Sequence, residues 1–196
     1  MLKNDTEVRY EDSKINLYVL ESTVPQRATL ESLYKDILNL GKIFGIEDRA
    51  VKLAEDMQNR ITILTRGLVL QKHVRVFVYD GCENLPSTAS GGTFENSLIT
   101  AAGGENVFGG EKEPYIRVTW EQIAGRNPDV ILVHDFADHI SAREKIQILK
   151  ERRELETVSA VKNNRFLIVS LQEVFPGIQN VNVIEKFIRF FYPYAL

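Results

Sequence analysis

His134, Asp135, Asp138 and His139 place two imidazoles and two carboxylates within six residues, a donor set that could ligate zinc or iron. The spacing matches no common metal motif, so a solvated or ligand-contacting loop at the end of a strand is the other reading. The glycine-rich run CENLPSTASGGTFENSLITAAGGENVFGG offers backbone amides to an anion at a helix N-terminus. Ser90-Gly91-Gly92-Thr93 lacks the third glycine of a dinucleotide fingerprint, and no Gly-Lys-Ser/Thr follows. A polar ligand group resting on Gly92 and Thr93 remains open. Cys82 has no histidine near it in sequence and there is no G-x-S-x-G elbow, so nucleophilic catalysis has no support. Arg117 and Arg126 flank Trp120 and could pair with an acidic ligand, or be solvated. Tyr79, Tyr115, Trp120 and Phe175 sit near expected loops, where aromatics suit either the wall of a bulky ligand site or packing.

The elements that must position these groups alternate. Residues 74–79, 130–134 and 165–170 are short runs of β-branched and aromatic residues and predict strands. Residues 15–20, INLYVL, have the same composition and predict a fourth strand, at an edge. Between them, residues 93–102 predict a helix stopped by Gly103-Gly104. Thr119-Trp120-Glu121-Gln122 and Ser141-Ala142-Arg143-Glu144 have capping-box spacing, the second opening a helix to about residue 153. A last helix is expected over 181–192. The longest helical rhythm is 29–70, with apolar positions Leu30, Leu33, Ile37, Leu40 and Phe44, then Ala50, Leu53, Met57, Ile61, Leu64 and Leu68. Gly45 interrupts it, which predicts two helices in series or one with a break.

Strands alternating with helices imply an α/β fold with a mainly parallel sheet covered on both faces. Ligands in such sheets collect beyond the carboxyl ends of the strands. Those ends carry Tyr79, Asp80, His134, Gln172 and Phe175.

The chain has 196 residues, 44% hydrophobic and 26% charged, an ordinary globular composition that suggests neither a disordered chain nor a membrane protein. A net charge of -3 supplies no bulk attraction to phosphate backbones, so nucleic acid is not an expected partner. One cysteine cannot form an intramolecular disulfide. No apolar run is long enough to span a bilayer, and residues 1–14 lack a signal-peptide core. Taken alone, that would place a complete product in the cytosol.

LYKDILNLGKIFGIEDRAVKLAEDMQNRI, STASGGTFENSLITAAGGENVFGG, VTWEQIAGRNPDVILVHD, and VSAVKNNRFLIVS followed by Pro176-Gly177 stand in one order. Together they resemble the solute-binding proteins of ABC importers for iron-siderophore complexes, haem and cobalamin. The resemblance covers residue 15 to the C-terminus; NPDVI and AVKNNR carry much of it.

That resemblance implies two α/β lobes joined by a helical spine, with ligand in the cleft between them. It assigns residues 1–28 to a remnant of the N-terminal lobe and a connector, 29–72 to the spine, and 73–196 to the C-terminal lobe. The chain is then expected to be a piece of a longer, extracytoplasmic protein, binding ligand weakly or not at all by itself. Some of Leu30, Leu33, Ile37 and Leu40 would be exposed or covered in a dimer. The implied partners are an iron-siderophore or corrinoid-type molecule and an importer permease. No enzyme activity, cofactor or protein-held metal is implied. By position, Tyr79, Asp80, Tyr115, Arg117, His134, Gln172 and Phe175 would meet ligand, and Glu121 would dock on permease arginines. The insert around Cys82 departs from the shorter siderophore-type loop. The rival reading is a small cytosolic metal-dependent enzyme using His134, Asp135, Asp138 and His139.

Overall fold

The structure, a computed structural model, describes residues 16–68, 71–136 and 140–193. It opens on an extended segment, a 3-10 turn at Glu21–Thr23, and two helices, α1 (Leu30–Phe44) and α2 (Glu47–Thr65). Then come β1 (Val74–Tyr79), β2 (Ser87–Ala89), α3 (Phe94–Ala101), β3 (Gly104–Asn106), β4 (Tyr115–Arg117), α4 (Trp120–Arg126) and β5 (Val130–Asp135). The chain closes with α5 (Ala142–Glu151), α6 (Ser159–Lys162), β6 (Phe166–Ser170), α7 (Leu171–Val174) and α8 (Asn180–Phe191).

The main sheet runs β3-β1-β5-β6, every pair parallel. Its central strands are buried on both faces, and the period of two divides them. Val76, Val78, Val130 and Leu132 enter one core with α1, α2, α3 and α8. Phe77, Tyr79, Ile131 and Val133 enter a second with α4 and α5. The expected α/β class, with helices over both faces of a mainly parallel sheet, is what the chain adopts. Strands β2 and β4 pair antiparallel as a separate ribbon; at three residues each they are too short to announce themselves by alternation.

Gly45 ends α1 in the left-handed conformation (φ 66°), as a glycine can at no steric cost. The Ile46 amide donates to the Gly41 carbonyl at 2.8 Å, and a methyl on Gly41 would overlap Cβ of Ala50. In a continuous helix those positions would lie about 13 Å apart, so α1 and α2 fold back on one another. Of the four positions expected to be partly exposed or covered in a dimer, Leu30 and Leu33 are buried by the chain's own residues, while Leu40 is only partly covered. Ile37 packs against the same core. Ile43, Phe44 and Ile46 are exposed at the turn, as are Val51, Leu53 and Ile63 along α2, and Ala54 takes the core position expected of Leu53.

Residues 16–20 form no strand, and Leu17 and Val19 are exposed. Their composition suits a strand, but no neighbouring strand among the described residues pairs with them. Ile15 lies outside those residues. Asp36 fixes this segment to α1. Its buried carboxylate accepts from the Tyr18 hydroxyl at 2.8 Å and from the Glu21 and Ser22 amides at 2.9 and 2.8 Å. Burial opposes ionisation, yet these donors hold the Asp36 carboxyl below its ordinary pKa.

Candidate functional site

The connector after residue 20 crosses the carboxyl end of the sheet and walls a cleft of about 450 Å³ there, a size ordinary for a ligand site. Thr23 and Pro25 come from the connector, Thr93 and Glu95 from the start of α3, Tyr115 from β4, and Phe175 from the turn after α7. Thr93 caps α3, accepting from the Asn96 amide, which brings Glu95 into the first helical turn and against the sheet. The Gln26 amide donates to the Gly92 carbonyl at 3.1 Å and ties the connector to the α3 turn.

Below the cleft lies a buried ionic relay. His134, at the end of β5, has no exposed surface. Its Nδ1 stands 2.9 Å from Asp80 Oδ1, and its Nε2 3.0 and 3.1 Å from the two oxygens of Glu95. With a carboxylate at each ring nitrogen, both nitrogens donate and the ring is an imidazolium. Burial alone would depress the imidazole pKa. The Glu95 charge and the hydrogen bonds to both carboxylates outweigh it and hold the pKa at about 10. Burial likewise opposes ionisation of Asp80, but the His134 hydrogen bond and charge, the Ser87 side chain and Lys145 keep its pKa lowered. The Lys145 ammonium, itself buried, donates to the Asp80 and His134 carbonyls at 3.2 and 3.0 Å and lies 4.0 Å from the centre of the Phe136 ring. The Tyr115 phenol is pushed up to about 12, first by burial and then by the negative charges of Glu95 and Asp80. It therefore keeps its proton at neutral pH.

Of the residues expected to meet ligand, Tyr115 and Phe175 line the cleft. Asp80 and His134 lie beneath it. Tyr79, Arg117 and Gln172 are not brought in. The Tyr79 side chain points to the other face of the sheet, where its ring packs 6.0 Å from Trp120, because it shares strand parity with Phe77. Arg117 turns back, its Nη1 donating to the Leu85 carbonyl at 3.1 Å. Gln172 is exposed on α7, and its carbonyl accepts from Gln179. Arg126 donates to the Val107 carbonyl and lies over the Phe108 ring. Cys82 is exposed, with φ 68°.

The metal-enzyme reading loses its first ligand, since both His134 nitrogens are engaged. Asp135 is exposed; Asp138 and His139 lie outside the described residues. Among the described residues no group of three His, Cys, Asp or Glu side chains is arranged to hold a metal ion. Glu121 lies in the first turn of α4, which the Thr119–Gln122 capping box opens. It is exposed, and hydrogen bonds from its own amide and from Thr119 hold its carboxyl below the usual range.

Sequence reasoning missed Glu95, Asp36 and Lys145. A charged residue on an amphipathic helix reads as part of its solvated face, and nothing local marks the distant partner, 39 residues away for Glu95.

The chain is 27% identical over 116 residues to the vitamin B12-binding protein of Yersinia pestis, an alignment covering 58% of this chain and 41% of that protein. It thus matches about two fifths of the length of that curated relative. A periplasmic binding protein from Veillonella parvula superposes with a TM-score of 0.87 at 25% identity, covering all of this chain and 67% of that one. A periplasmic haem-binding protein from Pseudomonas aeruginosa has the same fold, with a TM-score of 0.79 at 20% identity, covering 100% of this chain and 70% of its own. The family model described as periplasmic binding protein matches residues 4–170. The chain belongs to the periplasmic binding protein family.

Proposed function

We propose that this chain carries the C-terminal half of a solute-binding cleft. In the longer protein that cleft captures an iron-siderophore, haem or cobalamin-like molecule outside the cytoplasm and delivers it to an ABC importer permease. The observation that carries this is the cleft at the carboxyl end of the parallel sheet, with the Tyr115 and Phe175 rings on its wall. Aromatic faces suit a flat macrocycle or an iron chelate. In this division, residues 1–28 are a remnant of the N-terminal lobe and the connector, 29–72 the spine, and 73–196 the C-terminal lobe. The chain acts by binding and not by catalysis. A chelated metal would be held through its organic ligand, consistent with the engaged nitrogens of His134. Glu121, exposed at a helix start, is the group we assign to permease docking.

One wall buries less of a ligand than two, so affinity is expected to be weak. Titrating a fixed, low concentration of vitamin B12 or haem with this chain, and following the probe's absorbance, should give high-micromolar binding to at least one of them. Tyr115→Ala with Phe175→Ala should abolish it. Binding that survives the double substitution would place the site elsewhere.

A further inference from the structure

The cleft wall carries a carboxylate fixed in place. Glu95 is 3% exposed, yet it borders the cleft, and its carboxylate cannot turn away because both oxygens are held by His134 Nε2. That ring is fixed in turn by Asp80. One N–H shared between two oxygens leaves the carboxylate with lone pairs to spare, and a buried acceptor gains from each donor it meets. The neighbouring charges balance: Asp80 and Glu95 stand against the His134 imidazolium and the Lys145 ammonium, so what Glu95 presents to the cleft is acceptor oxygens rather than net charge. His134 is wholly buried behind Glu95, and Lys145 is engaged with the Asp80 and His134 carbonyls and the Phe136 ring. On the same cleft the Tyr115 hydroxyl stays protonated and can donate. A fixed carboxylate and a phenol together match a group that both donates and accepts.

Resting on the reading of this cleft as the ligand site, we infer that Glu95 sets the ligand class: with the Tyr115 hydroxyl it selects a macrocycle whose rim carries primary amides and disfavours one whose rim carries carboxylates. The amide N–H donates to Glu95 and its carbonyl accepts from Tyr115. A rim carboxylate, itself acceptor-only, would set oxygen against oxygen at Glu95 with no hydrogen to share.

Vitamin B12 and haem are flat macrocycles whose rims carry amides and carboxylates, respectively. Each is held at low fixed concentration and titrated with the wild-type chain and with Glu95→Gln, whose fold is checked by circular dichroism. The wild type should bind vitamin B12 about tenfold or more tightly than haem. Glu95→Gln should weaken vitamin B12 by about tenfold and close most of the gap. A purely structural role for Glu95 would weaken both probes alike. Equal or tighter haem binding by the wild type, or a preference unchanged in Glu95→Gln, overturns the assignment of Glu95 while leaving the cleft standing. Failure of both probes to bind the wild type overturns the cleft reading, and this inference with it.

Discussion

His134 Nε2 faces both carboxylate oxygens of Glu95, at 3.0 and 3.1 Å, across the seam where β5 meets the start of α3. With Asp80 on the other ring nitrogen, the imidazolium links two strand ends and one helix beneath the cleft.

The pKa of His134, about 10 in the fold, lies above the ordinary value near 6.5. The stability it contributes is therefore fully present below about pH 6.5 and is lost as pH rises through about 10. Thermal melts should show Tm falling across that interval. His134→Leu should cost about 3–5 kcal/mol at neutral pH by leaving buried carboxylates unpaired, and should flatten the alkaline fall. An unchanged alkaline fall in the variant would assign it to other groups.

Asp36 has the opposite sign. Its pKa is lowered in the fold, so its stabilisation is present at neutral pH and lost as pH drops through the acid range. Asp36→Ala removes the acceptor for the Glu21 and Ser22 amides and should cost about 1–3 kcal/mol. It should also free the connector, so limited trypsin should cut after exposed Arg27 several-fold faster. Equal cleavage rates would show that the connector is held by other contacts.

The fold-back of α1 on α2 depends on Gly41. A methyl there meets Ala50 Cβ, and Gly41→Ala should cost about 1–3 kcal/mol through overpacking. Gly45→Ala, strained by its positive φ, should cost about 1 kcal/mol. Chemical denaturation measures both; a neutral Gly41→Ala would mean the helices separate there freely.

Glu121 is exposed in the first turn of α4, so Glu121→Arg should lower Tm by a few degrees at most, through the reversed charge at the helix start. In the full-length protein it should impair uptake while ligand affinity is unchanged. Normal uptake would remove Glu121 from the docking role.

The sheet was readable because VRVFVY and VILVH are apolar on both sides of their alternation, which only a doubly covered strand tolerates. The helix starts at Thr119 and Ser141 were readable because capping boxes are local. What local pattern could not supply was direction. Tyr79 follows the parity of Phe77 into the second core, and sequence does not say which face opens to the cleft. Residues 16–20 have strand composition without a strand beside them, and a strand is a property of pairs. Glu95 and Asp36 look like surface carboxylates until the fold brings His134 and the connector amides to them. Tyr115 and Phe175 were expected near ligand from their places at strand and loop ends, and they line the cleft; the carboxylate that shares it was not anticipated.

The most direct test is to map where a macrocycle touches the chain. Backbone and side-chain NMR of the isotopically labelled chain, titrated with vitamin B12, should shift Thr93, Glu95, Tyr115 and Phe175 together. The far side of the sheet around α5 should stay unmoved. Shifts confined to α5, or to the exposed turn between α1 and α2, would contradict the assignment of the cleft.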